Sequence, residues 1–137
     1  MSRTLQTRGV TYIFKEDHRD GTAQKSQWTI SEDDEFRSFE YAFDSNWIEE
    51  NVGWGLYLVN TIPAFLGVAE LPNRHRLLFI AKFVGSDRGK RWHGYPANPQ
   101  DHQHDTPSND VLLNWSERGF VSRAKMRKIL KGQPCNL

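Results

Sequence analysis

The sequence has almost no cysteine, and that scarcity narrows the field first. Cys135 is the single cysteine among 137 residues, so no internal disulfide can form and no thiolate set exists for a structural zinc site. A lone thiol close to a chain end, with no positioned base beside it, also makes a poor nucleophile. Long apolar runs are missing too. Nothing in MSRTLQTRGVTY resembles a signal peptide, and no segment approaches the ~20 apolar residues that cross a bilayer. The sequence therefore predicts a cytoplasmic protein with no membrane association. Also absent are a Gly-rich phosphate loop before a helix, a Gly-X-Ser-X-Gly elbow and a His-Glu-X-X-His zinc helix. No repeat or low-complexity tract occurs, and no cofactor is expected.

What is present suits one α+β domain over residues 1–137. That length lets a chain bury roughly 65–70% of the surface its unfolded form exposes. VTYIFK (10–15) alternates like a strand, HRDGTAQKS is a polar loop, and QWTI (27–30) is a second strand. Residues 31–44 read two ways. Ser31 with Asp34 is a capping pattern and Phe36, Phe39 and Phe43 share a helical face, whereas Phe39, Tyr41 and Phe43 alternate like a strand. Helix is the favoured reading, followed by a short helix through NWIEENV, capped by Ser45 and ended by Gly53.

From Gly55 the chain reads as an antiparallel meander of GLYLVN, AFLGVAEL and RLLFIAKFVG, with LLFIAKFV as a central strand covered on both faces. KRWHGYP is a fourth strand stopped by Pro96. The sheet core spans about 10–96, and a proline-bounded loop occupies 96–108. An αα-hairpin fills 109–131, with caps at Ser108 and Ser122 and stops at Gly119, Gly132 and Pro134. Val111, Leu112, Trp115, Met126, Ile129 and Leu130 are the hairpin residues expected to pack on the sheet.

Charge is segregated beneath a net of +1. Residues 31–50 hold eight acids and one arginine, and residues 111–137 hold six Lys or Arg against Glu117 alone. Such asymmetry marks either a charged partner or two solvated faces of one fold. Adjacent Asp33, Asp34 and Glu35 suit a helix N-terminus and need no catalytic reason.

The stretch KRWHGYPANPQDHQHDTPSND (90–110) concentrates the chemistry. His102 and His104 lie two apart between Asp101 and Asp105, and imidazole with carboxylate suits zinc or manganese. His102, His104 and Asp105 are thus the alternative metal set, and His93, His102 and His104 the alternative catalytic residues. Pro96, Pro99 and Pro107 make an exposed polar loop the simpler reading. Arg91, Trp92, His93 and Tyr95 form a binding candidate of donors, rings and a titratable imidazole, against which stands a core tryptophan, a bulge at Gly94 and a tyrosine sealing the loop. Arg123, Arg127, Lys128 and Lys131 form a basic helix face. The hairpin has helix-turn-helix length, but Trp115 and Lys125 fall where close helix packing demands small or apolar residues, so only backbone contact to nucleic acid remains.

Three functions follow. The leading one is a small regulatory protein of the inhibitor, immunity or operon-accessory type that docks on another protein. It rests on five Trp, eight Phe and four Tyr in one small domain, since aromatic residues and Arg dominate interface hot spots. The alternatives are nucleic-acid binding through the basic helix and Arg91–Tyr95, and a small His-dependent or metal-dependent hydrolase or nuclease.

Overall fold

In the computed structural model, which describes residues 3–137, Ser31 opens the helix that organises the fold. Its side chain accepts a hydrogen bond from Asp34 N at 3.1 Å, and four acids fill the first turn, where the helix dipole favours them. In chain order the elements are β1 (Thr4–Thr7), β2 (Val10–Ile13), β3 (Gln27–Trp28), α1 (Glu32–Asp44), β4 (Ile48–Glu49), β5 (Val52–Val59), β6 (Ile62–Ala64), β7 (Gly67–Val68), β8 (Leu77–Leu78), β9 (Ile80–Ser86), β10 (Arg91–Ala97), α2 (Asn109–Glu117) and α3 (Arg123–Leu130). Two 3-10 turns cover Glu16–His18 and Gln103–Asp105. The main sheet has the order β1-β2-β10-β9-β5-β4, with β6 extending β5, and β3-β7-β8 form a second, small sheet. The class is α+β, as the sequence predicts.

Four expectations about the sheet are corrected. It is mixed, because β2 runs parallel to β10 with Arg91 opposite Thr11, and not a pure antiparallel meander. AFLGVAEL does not form a strand between β5 and β9; it splits into β6 and β7, which belong to different sheets. LLFIAKFV likewise divides between β8 and β9. Pro96 does not stop β10, where it lies opposite Ala81. Its carbonyl accepts Ser26 Oγ at 2.7 Å, so its backbone edge turns away from β9 and the missing N–H removes no ladder bond.

The short helix expected over NWIEENV is also absent. Ser45 is the C-cap of α1 and Asn46 takes φ +61°, a left-handed turn that ends α1 and feeds Trp47 directly into β4. Gly53 lies in β5, opposite Ile48. The C-terminal hairpin forms as expected: Ser108 and Ser122 accept from Val111 N and Lys125 N, and Gly119 carries φ +82° between the helices. Leu130 is the exception on its packing face, being 41% exposed, because it lies at the outer end of α3.

α1 packs on one sheet face through Phe39, whose ring lies 4.8 Å from Tyr12, 5.3 Å from Phe83 and 5.8 Å from Trp92. The helical hairpin covers part of the opposite face, where Ile129 meets Ile80 and Ala97 around a small cavity. The remainder of that face, near His93 and Val84, stays half-buried.

Beneath α1 lies a buried carboxylate. Glu35 accepts from Tyr12 Oη at 2.5 Å and from Arg19 Nη2 at 2.6 Å, yet burial outweighs these bonds and pushes its pKa up to about 7. A carboxyl whose folded-state pKa exceeds its unfolded value of 4.5 holds its proton more tightly in the folded state. Its contribution to stability is therefore fully present below about pH 4.5 and is lost as pH rises through about 7. Urea unfolding of the wild type and Glu35→Gln across pH 4.5–7.5 should show a difference between them that changes by on the order of 3 kcal/mol. A pH-independent difference contradicts the assignment.

Candidate functional site

Alternation along β10 divides the motif RWHGYP between two faces. Trp92 and Gly94 turn to the α1 core, and Arg91, His93 and Tyr95 turn to the other side. Trp92 is 2% exposed, with its indole N–H donated to Gly89 O at 2.8 Å. It is a core residue, which removes it from the binding set. Tyr95 lies opposite Lys82 of β9, which in turn lies opposite Trp54 of β5. Lys82 Nζ therefore sits between two rings, 5.5 Å from Trp54 and 5.9 Å from Tyr95.

The proline-bounded loop closes onto this row through Asp105. Its buried carboxylate accepts from Tyr95 Oη at 2.9 Å and Asn98 N at 2.9 Å, and Lys82 Nζ stands 3.7 Å away. Burial and the neighbouring Asp105 charge push the Tyr95 phenol well above its ordinary range, so it stays protonated as a donor. His18 stacks on the Tyr95 ring at 5.2 Å and 12° between planes, and its Nδ1 lies 2.8 Å from Ser26 O. Burial pushes the His18 pKa below the ordinary histidine value. Across the same space His102 Nε2 lies 2.8 Å from Glu70 Oε1. Together His18, Lys25, Ser26, Glu70, Tyr95, His102, His104 and Asp105 line a polar cleft of about 250 Å³.

The structure thus joins two sequence candidates, Tyr95 from the strand and His102, His104 and Asp105 from the loop, at one place. His93 shares the Tyr95 face but does not line the cleft; burial lowers its pKa, with Lys15 and His18 adding to the effect. Arg91 is exposed at the start of β10. The metal set is not assembled, since among the described residues no three His, Cys, Asp or Glu groups could hold an ion. Asp105 is committed to its donors. Asp101 is held by Asn73, Asn98 and Arg76, whose hydrogen bonds keep its carboxyl below the usual range although partial burial works the other way. On α3 and just beyond it, Arg123, Arg127, Lys128 and Lys131 are all exposed, and none of them enters an ion pair among the described residues.

Sequence reasoning missed His18, Lys82 and Glu70, because each meets the loop only through contacts distant in sequence. It also missed a second concave surface. Asp34, Arg37, Ser38 and Tyr41 of α1, the β5 residues Leu56–Val59, Thr61 and Phe120 line a largely apolar groove of about 470 Å³. Arg118 bridges its two walls, lying 5.5 Å from the Tyr41 ring and 5.1 Å from Phe120, with Nη2 donating to Tyr41 Oη at 2.6 Å.

The groove runs along an open strand edge. Trp54 N donates to Trp47 O on the β4 side, so alternation sends the N–H and C=O of Leu56 and Leu58 to that same side. Gly55, Tyr57 and Val59 face the other way, toward β9 and β6, and Leu58 stands opposite Pro63, which has no N–H to give. β4 reaches only as far as Ile48 opposite Gly53. Beyond it, among the described residues, no strand pairs with Leu56 and Leu58 on that edge, their partners Ile80 and Pro63 lying on the opposite side.

Comparison with protein-family models finds no match, and comparisons with curated proteins and with solved structures find none either.

Asp105 is the tie between loop and sheet. Asp105→Ala leaves the nearly buried Lys82 ammonium without its carboxylate and frees Asn98 N, so equilibrium unfolding should show a loss of roughly 3 kcal/mol. A loss within the ±0.5 kcal/mol range of ordinary surface changes means that the loop is held by other contacts.

Proposed function

We propose that this domain works by docking on another protein, and that the groove over the open edge of β5 receives an extended segment of that partner. The observation that carries the reading is the pair Leu56 and Leu58, whose backbone groups face an apolar groove with no strand on that edge among the described residues. Backbone donors and acceptors at strand spacing define the occupant's conformation, and alternate side chains of an added strand fit apolar walls on either side. Tyr41 is 38% exposed and Val59 46% exposed, and Ile62, opposite Val59, is 65% exposed, so the apolar surface extends past the groove. At the walled end Arg118 has ring and hydroxyl contacts but, among the described residues, no carboxylate partner. The partner segment is therefore an apolar strand that brings an acidic group to Arg118.

The exposed basic residues of the α3 region support nucleic-acid contact as the second reading. One experiment separates the two. A partner captured from native lysate, treated with nuclease and purified, should bind Val59→Arg and Arg118→Ala about tenfold more weakly than wild type. Val59→Arg should retain the wild-type thermal midpoint, Arg118→Ala should stay folded with a modestly lower one because it loses its contacts to Tyr41 and Phe120, and His104→Ala should bind normally. Capture that is lost to nuclease, or a partner indifferent to Val59→Arg, contradicts docking at this edge.

A further inference from the structure

The groove leaves the polar cleft unexplained, and the cleft holds an acceptor that the fold does not use. His18 is 8% exposed yet lines the cavity. Ser26 O can only accept, so the 2.8 Å contact fixes the ring proton on Nδ1. Nε2 is left as a bare lone pair, with no donor from the described residues meeting it. His102 follows the same logic. Glu70 Oε1 accepts from its Nε2 at 2.8 Å, which makes Nδ1 the acceptor whenever that ring is neutral.

Glu70 adds a third acceptor. Its Oε1 already takes His102 and Asn98 Nδ2, and its Oε2 takes neither. Lys82 pairs with Asp105 at 3.7 Å, Lys25 with Asp17 at 4.0 Å and Arg76 with Asp101. Arg74 donates to the backbone carbonyls of Lys25 and Thr22, so among the described residues none of these cations meets Glu70. The Glu70 charge is thus uncompensated when His102 is neutral. Two imidazole lone pairs and a carboxylate oxygen around about 250 Å³ call for a ligand with several N–H donors and a positive charge.

We propose that this cleft is a binding site for an amidinium or guanidinium group, received by His18 Nε2, His102 Nδ1 and Glu70 Oε2. A planar cation with donors on adjacent nitrogens reaches separate acceptors at once, which a single ammonium does less well. The group has two sources, a free small molecule or an arginine side chain of another protein. Benzamidinium and acetyl-arginine methylamide represent them, and benzoate is the control of opposite charge.

Long-range proton–nitrogen NMR of the histidine rings in the full chain at pH 7.5 is the test. Without ligand, His18 should show its proton on Nδ1. Either cation should then shift His18 Nε2 and His102 Nδ1 saturably, and benzoate should not. Tighter binding of the arginine derivative names a protein side chain as the source, and tighter binding of benzamidinium names a small molecule. Glu70→Gln should weaken binding by about tenfold, and His18→Phe, which keeps a ring against Tyr95, should abolish the coupled shifts. A His18 ring protonated on Nε2, no saturable shift in the wild type, or unchanged affinity in His18→Phe overturns the proposal.

Discussion

The rest of the structure depends on the space around Phe83. A Cβ built on Gly55 would stand 2.8 Å from this ring, and one on Gly94 only 2.5 Å from it. Side chains at either position collide with the ring, so these two glycines let a phenylalanine lie flat across three strands. Phe39 of α1 then packs on Phe83 from above, and the backbone of Ser38 comes within 3.4 Å of where a Gly55 side chain would begin. Helix and sheet therefore sit closer than ordinary side chains would permit.

Both concave surfaces follow from that constraint. Close seating of α1 on β5 sets Tyr41 and Ser38 beside the strand edge, while the pairing of β4 with β5 stops at Ile48 opposite Gly53. The edge beyond stays uncovered, walled by α1 and Phe120. On β10 the requirement for glycine at 94 on the core side fixes the phase of the strand. Tyr95 must then face outward, where Lys82, Asp105 and His18 gather. The polar cleft is thus the reverse side of the aromatic core. Edge strands exposed without protection invite unwanted pairing; here α1 and Phe120 flank the edge.

Local signals in the sequence marked the three helices that form, although the same kind of signal at Ser45 and Gly53 pointed to a short helix that does not. Serine caps at 31, 108 and 122 and the glycine at 119 mark real boundaries, because capping involves groups three residues apart. The α+β class was legible for the same reason. Strand partners were not. Nothing local says that VTYI pairs in parallel with a strand eighty residues later, or that AFLGVAEL bends between two sheets, since the partners lie far apart in the sequence. The loop histidines illustrate both limits. Their residue types suggested a metal, but His102 turns to Glu70 and Asp105 is occupied by Asn98 and Tyr95, partners that only the folded chain brings near. Trp92 and Tyr95, read as one motif, serve opposite faces.

The central claim is that β5 has an unoccupied edge at Leu56 and Leu58, and residue-resolved amide hydrogen exchange of the free protein tests it most directly. Alternation is the expected result. Gly55, Tyr57 and Val59, whose amides face β9 and β6, should exchange slowly, and Leu56 and Leu58 should exchange markedly faster than these neighbours. Uniform protection along residues 55–59 would mean that the edge is already covered, and the docking account would fail.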